Sequence, residues 1–414
     1  MRKILKLTFA GCWCSIIVII VSLCACHGGG NKYANRITQN SFVDSTDYYE
    51  DYSGKPVVIY IDDDVTPLYE SLNVDNLIAS YKYVPLSTDT GSYILGGCPI
   101  KVSDKYLIES GNILSPDFKI FKNDGRYERD AIRYGRGPNE IVNFFNFFVD
   151  YNRKEVTFIS ADKIVAYNFD SQITKTIRSN IDAQYSNLAR LENGIFVLLP
   201  NTDYVHDGKN EEEIRPALIF YDSLFQVCDT LYRYAPKHRM IEGVTEGPVL
   251  GKRLSSDAGV TLYQDMMGDT VFRVTPGRKL IPEFVIDMPD DMKMTVRESE
   301  KLSYKKKENK IIIRNYEVSK DYVFLSYHHD GVGRFGIWSK KTGELLFRYV
   351  HPYDRHFIKA LLDGKVLEIP IGQFQPNSNS FVSTVPAIQM KHLFPNIKDD
   401  DNPVAIEITL KSDM

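Results

Sequence analysis

One plan recurs along this chain and limits what it can fold into. KVSDKYLIES (Lys101–Ser110) is a short strand, a polar turn and a second strand mixing aromatic and aliphatic residues. VDYNRKEVTFIS (Val149–Ser160), ARLENGIFVLL (Ala189–Leu199), YQDMMGDTVFRV (Tyr263–Val274) and EVSKDYVFLS (Glu317–Ser326) repeat it. A third strand closing on a turn follows in FKIFKNDGR (Phe118–Arg126), IVAYNFDSQIT (Ile164–Thr174), ALIFYDSLFQV (Ala217–Val227) and FGIWSKKTGEL (Phe335–Leu345). Asp124-Gly125, Pro276-Gly277 and Thr342-Gly343 punctuate hairpins. Short strands at even spacing, with no amphipathic helical period, predict an all-β chain. An abundance of Tyr and Phe suits that class.

The spacing sharpens the prediction. The third strands end at Phe121, Tyr167, Tyr221 and Trp338, which gives units of about 46, about 54 and twice about 58 residues. Four-stranded units of this length are propeller blades. The chain reads as a six-bladed β-propeller of four-stranded antiparallel blades over residues 56–414, with a large sandwich or two small β domains as the alternative. Polar insertions at Asn201–Arg215 and Met288–Lys310 swell the longer units. Five blades are explicit. The sixth draws on ALLDGKVLEIP (Ala360–Pro370), FVSTV (Phe381–Val385) and a strand from elsewhere: VVIYI (Val57–Ile61), KYVPL (Lys82–Leu86) or AIEITL (Ala405–Leu410). An N-terminal strand in the last blade closes the ring without a free edge.

The N-terminus sets the compartment. Arg2, Lys3 and Lys6 precede an apolar run that ends in small residues, the layout of a secretory signal over residues 1–25. Leu23-Cys24-Ala25-Cys26 resembles a bacterial lipobox with Cys26 as the lipidated residue; an uncleaved anchor is the alternative. Both place the rest of the chain outside the cytoplasm. Residues 26–55 are glycine-rich, then polar, as in a flexible tether. No acidic residue follows Cys26 at once, which points to an outer-membrane lipoprotein facing the periplasm.

Charge excludes one partner class. The formal net charge is −4, and removal of a signal carrying three cations and no acid makes it about −7. That argues against nucleic acid and against a basic membrane-binding surface. Beyond Cys26 only Cys98 and Cys228 remain, without zinc spacing, and read as two isolated buried thiols.

The strand pair, the Asp124-Gly125 turn, RYGRGPNE (Arg133–Glu140) and the aromatic strand ending at Asp150 together resemble the TolB-like six-bladed β-propeller lipoproteins of bacterial envelopes. YKYVPL (Tyr81–Leu86), GDTVFRVTPG (Gly268–Gly277) and Pro282-x-Phe284-x-Ile286-Asp287 extend the likeness, which covers Val57 to about Pro370. The resemblance implies fold and location. That family mostly lacks an assigned activity, so no catalytic residue and no cofactor follows from it.

Of the candidate sites, GRGPNE (Gly135–Glu140) is the most distinctive. Glycine-rich loops hold phosphate where they open a helix, but Phe144, Phe145, Phe147 and Phe148 continue as strand. Gly135, Gly137 and Pro138 suit a turn between blades. Arg133, Arg136 and Glu140 exceed what a turn needs: Arg136 and Glu140 either pair or face a ligand in the channel. His328-His329-Asp330 reads as a hairpin tip whose histidines point to opposite faces, and His351 and His356 as isolated. Asp62-Asp63-Asp64 and Asp399-Asp400-Asp401 lack the alternation and glycine of a calcium loop and read as solvated turns. Ser303 and Lys306 sit on a lysine-rich insertion. No metal site is assigned. The resulting reading is a lipid-anchored, monomeric binding or scaffold module for an envelope protein, peptide or glycan. A carbohydrate-active or lyase-type enzyme with its site in the channel is the alternative.

Overall fold

Second strands of the blades are apolar on both faces, and that decides how they pack. The burial of Glu155–Ser160 and Tyr322–His329 is nearly continuous, with no solvent-facing alternation. A sheet buried on both sides needs a neighbour on each side, and a ring of blades provides them. A computed structural model describes residues 55–62, 71–73, 76–94, 99–112, 115–137, 140–142, 144–160, 163–171, 174–178, 187–200, 212–236, 253–257, 259–264, 268–293, 309–330, 332–351 and 357–412. Cys26, the tether, Asp63, Asp64, Cys98, Pro138, Ser303, Lys306 and His356 lie outside the described residues.

Two strands, β1 (Val57–Tyr60) and β2 (Ile78–Pro85), precede the blades. Blade one is β3 (Ile100–Val102), β4 (Lys105–Asn112), β5 (Ser115–Lys122) and β6 (Tyr127–Tyr134), with β7 (Glu140–Ile141) parallel to β6. Blade two is β8 (Phe144–Asp150), β9 (Glu155–Ser160), β10 (Lys163–Asn168) and β11 (Thr174–Arg178). Blade three is β12 (Asn187–Arg190), β13 (Phe196–Leu199), β14 (Glu212–Tyr221) and β15 (Val227–Pro236). Blade four is β16 (Arg253–Asp257), β17 (Val260–Gln264), β18 (Thr270–Val274) and β19 (Leu280–Asp287). Blade five is β20 (Ile311–Val318), β21 (Tyr322–His329), β22 (Val332–Ser339) and β23 (Leu345–His351). The remainder is β24 (Phe357–Leu362), β25 (Lys365–Pro370), β26 (Ser380–Val385) and β27 (Val404–Leu410). Within blades one to five, consecutive strands pair antiparallel, so the six-bladed reading holds.

The sixth blade is a composite. Its sheet runs β2–β27–β26, so the outermost strand comes from the N-terminal side of the ring. A Phe374–Phe381 bridge widens it on the β26 side. Both KYVPL and AIEITL therefore belong to it. VVIYI does not: β1 adds in parallel to β19 as a fifth strand of blade four, Val57 opposite Phe284 and Tyr60 opposite Asp287. Ile59 and Ile61 alternate into the apolar seam beside blade five, which explains the placement. ALLDGKVLEIP forms the separate hairpin β24–β25, which packs into one core with blade five and the closing sheet.

Six buried clusters occupy the seams among the described residues, one between each pair of neighbouring blades. Between blades one and two, the Phe118 ring lies 5.0 Å from Phe147 and 4.6 Å from Phe158. Each fully buried side chain of this kind stabilises by roughly 1.5–3 kcal/mol. Phe144, Phe147 and Phe148 after GRGPNE are therefore blade packing.

The repeat misreads blade four by one strand. YQDMMGDTVFRV spans β17 and β18, the second and third strands, where the other copies are first and second. The true first strand, RLSSD (Arg253–Asp257), is short and polar and carries little pattern. Likewise β14 begins inside the polar stretch assigned to an insertion, with Glu212 and Arg215 registered against Pro236 and Arg233.

Candidate functional site

Antiparallel blades sort their connections by end. First–second and third–fourth turns lie at one end of the ring. Second–third turns and the crossings between blades lie at the other. The sequence singled out features of the crossing end, whereas the open cleft lies at the turn end.

At the crossing end, GRGPNE joins β6 to β8. The Glu140 carboxylate folds back into the loop and accepts the Gly137 N–H at 2.8 Å. A Cβ at Gly135 would stand 2.0 Å from Glu140 Oε2, and one at Gly137 would stand 3.0 Å from it. The glycines thus make room for a carboxylate, which is a different reason from backbone angle. The Gly135 N–H donates to the Ile141 carbonyl at 2.9 Å, and Lys163 Nζ donates to the Gly137 carbonyl at 2.8 Å. Glu140 is a structural part of the turn and does not pair with Arg136. Arg133 Nε donates to Asp130 at 2.5 Å. Burial alone would lift the Asp130 carboxyl, but donation from Tyr127, Lys119 and Arg133 holds it below the usual carboxylate range. Arg136 is exposed and has no ion pair among the described residues.

The His328–Asp330 tip is the β21–β22 turn of the same end. Its histidines diverge as strand alternation requires. His329 is 4% exposed, and its Nδ1 lies 2.8 Å from Nη1 of the equally buried Arg334. His329 Nδ1 is the acceptor of that bond, because a guanidinium can only donate. Nearby, Arg348 donates to Asp62 at 2.6 Å, so Asp62 belongs to the seam between blades four and five and is not a free solvated turn. Burial pushes the Tyr327 phenol of this seam up to about 12. His351 ends β23. Asp399 pairs with Lys391, and Asp401 accepts the Lys398 N–H at 2.8 Å. Among the described residues no group of three His, Cys, Asp or Glu converges as a metal site. Cys228 is exposed and free on the outer strand β15, contrary to the buried thiol expected from the sequence, because β15 is the edge of its sheet and Cys228 lies beside the hairpin turn.

At the turn end, a cleft of about 680 Å³ opens between blades three and four. Three turns build it: Leu191 and Glu192 after β12, Gly259 with Val260 at the start of β17, and Thr275 to Lys279 between β18 and β19. Asn193 Nδ2 donates to the Pro276 carbonyl at 2.8 Å and ties two of these turns together. A fourth contribution comes from the sixth blade. The connection before β26 turns at Asn377, with φ of +49°, and its tip lies against blade four. Gly259 permits that approach, since its φ is +81° and a Cβ there would stand 2.9 Å from Pro376 Cβ. Lys320 N donates to the Ser378 carbonyl, and Asn379 Oδ1 accepts from Ser319 Oγ and Asp321 N at 3.0 Å each, so blade five holds the same connection.

The cleft's charges are partly spent. Arg190 Nη1 donates to Glu155 at 2.8 Å and stacks on the Phe196 ring at 4.8 Å. Burial lifts the Glu155 carboxyl above its ordinary range, with Asp150 adding to the effect. Arg273 shares Glu283, at 3.6 Å, with Lys340 at 2.9 Å. Lys279 is half-buried and makes no ion pair among the described residues. No local signal in the sequence marks this site: its turns carry ordinary Asn-Gly, Pro-Gly and Pro-Asn punctuation, and only ring closure brings Asn377 beside Leu191.

Comparison with known proteins comes down to fold and family. A structure of a Bacteroides fragilis protein whose name calls it exported has a TM-score of 0.59 at 16% identity, covering 86% of this chain and 100% of that one. Virginiamycin B lyase from Staphylococcus aureus scores 0.38 at 11% identity, over 80% of this chain and 99% of that one. TolB from Acinetobacter baumannii scores 0.35 at 10% identity, over 76% of this chain and 63% of that one. The first likeness shows the propeller fold, and the other two bear on nothing further. A search of the curated proteins finds no match. The profile of one family, described as Domain of unknown function (DUF4934), matches residues 56–409, and the chain therefore belongs to the DUF4934 family.

Proposed function

We propose that this protein is an extracytoplasmic binding module, held to the outer membrane through lipidated Cys26, and that the cleft between blades three and four is where it takes its ligand. The cleft carries the reading. Its volume of about 680 Å³ falls within the range of roughly 300–1,000 Å³ typical of ligand sites. Among the described residues its lining holds a single carboxylate, Glu192, and no His, Cys or Tyr, which supports binding over acid–base chemistry. The lipobox-like Cys26 and the polar tether support the location, and the name of the Bacteroides fragilis fold relative points the same way. The partners that suit such a module are an envelope protein, a peptide or a glycan.

Crosslinking in intact envelopes, with photoreactive residues at Glu192 and Asn377, tests the site. Captured material from these positions, absent with the same group at exposed Leu224 on the outer hairpin, is the expected result. Equal or no capture removes the cleft from consideration. Fractionation of Cys26→Ser tests the anchor: the variant leaves the membrane fraction, and its retention there would sink the lipoprotein reading.

A further inference from the structure

We propose that the occupant of the cleft is an extended acidic peptide segment, with Lys279 as the charge that receives one of its carboxylates. The inference rests on the reading of the cleft as the binding site. Three observations lead to it.

Charge comes first. Arg190 is engaged by Glu155, and Glu283 serves both Arg273 and Lys340, so two cations share one anion at that wall. Lys279 has no ion partner among the described residues although it is half-buried. Glu192, the lining carboxylate, is exposed on the turn after β12. The fixed charge left inside is positive, and a half-buried ammonium without a partner favours an incoming anion.

The walls come second. Leu191, Val260, Pro276 and Ile281 supply aliphatic surface, and no aromatic ring is among the described lining residues. Sugars are ordinarily held by stacking on the flat apolar face of an aromatic ring, and the described lining residues offer a glycan no such platform. Aliphatic side chains of a peptide do find contact area.

Shape comes third. Turns of blades three and four line the cleft together, and Asn377 joins them from the connection before β26, whose Pro376 meets Gly259. A cleft built from turns of separate blades gives an extended chain contact along its length, and the exposed Asn377 amide is placed to meet its backbone.

The test uses the full propeller with methyl labels on Leu191, Val260 and Ile281. The probes are two amidated, acetylated octapeptide pools of alternating Glu and random aliphatic positions, one with every Glu replaced by Gln. The Glu pool shifts the cleft methyl signals, and the Gln pool binds about tenfold more weakly or less. Lys279→Gln abolishes that difference, Lys279→Arg retains it, and raising salt from 50 to 500 mM weakens the Glu pool several-fold. Melting temperatures of both variants show that they fold. Equal binding of the two pools, or methyl shifts produced by neutral oligosaccharides instead, overturns the acidic-peptide proposal and leaves the cleft as a site. Silence of these methyls toward every probe, with envelope crosslinks mapping elsewhere, overturns both.

Discussion

Lys101 of the first blade places its ammonium 2.6 Å from the Glu407 carboxylate of the closing sheet, across the seam where the ring meets itself. Tyr106, also of blade one, donates to the same carboxylate, and Lys82 lies 3.9 Å away. The chain passes from β2 of the closing sheet into blade one, and the ring is closed by the β2–β27 pairing, with the polar knot and the apolar cluster beneath it adding to the hold on this seam.

Glu407→Gln therefore weakens ring closure. Burial raises the Glu407 carboxyl, but the Lys101 and Tyr106 donors outweigh it and hold it below the ordinary carboxylate range. A depressed carboxylate contributes stability above its unfolded value near 4.3, and that contribution fades as pH falls through the folded value. Urea unfolding at pH 7 should show a loss of about 1–3 kcal/mol in the variant. The gap between wild type and variant should close as pH drops below about 4. A constant gap down to pH 3 would contradict the assignment.

Glu109 on β4 behaves in the opposite sense. Burial lifts its carboxyl, and no donor among the described residues compensates. A raised carboxylate favours the fold below its unfolded pKa and loses that contribution as pH rises through the folded value. Glu109→Gln should thus raise the melting temperature at pH 7 and leave it nearly unchanged at pH 4. Scanning calorimetry at the two pH values separates this from a general packing effect.

The GRGPNE loop divides into a structural acid and a spare base. Glu140→Ala leaves the Gly137 N–H without its acceptor and should cost about 1–2 kcal/mol. Arg136→Ala should stay within about 0.5 kcal/mol of wild type, as for a surface change. Equal losses in chemical denaturation would show that Arg136 also holds the turn.

Gly343 controls the docking of β1. Its φ is +76°, and a Cβ there would stand 2.3 Å from the Val58 carbonyl. Gly343→Ala should loosen β1 from β19 and speed limited proteolysis near Lys55 several-fold, while the remaining blades stay protected. Mass spectrometry of the first fragments reads this directly.

Much of the ring is legible in the sequence. Blades one, two, three and five announce themselves because their first turns fall between strands rich in Phe, Tyr, Ile and Val. Blade four slips by one strand because Ser255, Ser256 and Asp257 carry no apolar pattern. Local pattern also cannot say which distant strand joins which edge. VVIYI and KYVPL look interchangeable, and the difference lies in what each meets: Asp62 after β1 reaches Arg348, whereas Lys82 on β2 reaches Glu407. The cleft was illegible for the same reason. Leu191, Gly259, Lys279 and Asn377 are far apart in sequence, and each sits on a turn that needs no function to explain it.

β1 and β2 share one arrangement: each is the outermost strand of its sheet, and the third–fourth turn of the next blade rests on it through a glycine, Gly343 on Val58 and Gly125 on Pro85. For β1 this has a mechanical meaning. Tension arriving from the N-terminal side enters the ring at Lys55, along a strand aligned in parallel with β19. A pull along that axis shears all the β1–β19 hydrogen bonds together, where a sideways pull would peel them singly. With Trp338 Nε1 also donating to the Tyr60 carbonyl at 3.3 Å, the force spreads into two blades at once. A pull applied at Lys55 is thus resisted in shear by β1 and shared between blades four and five.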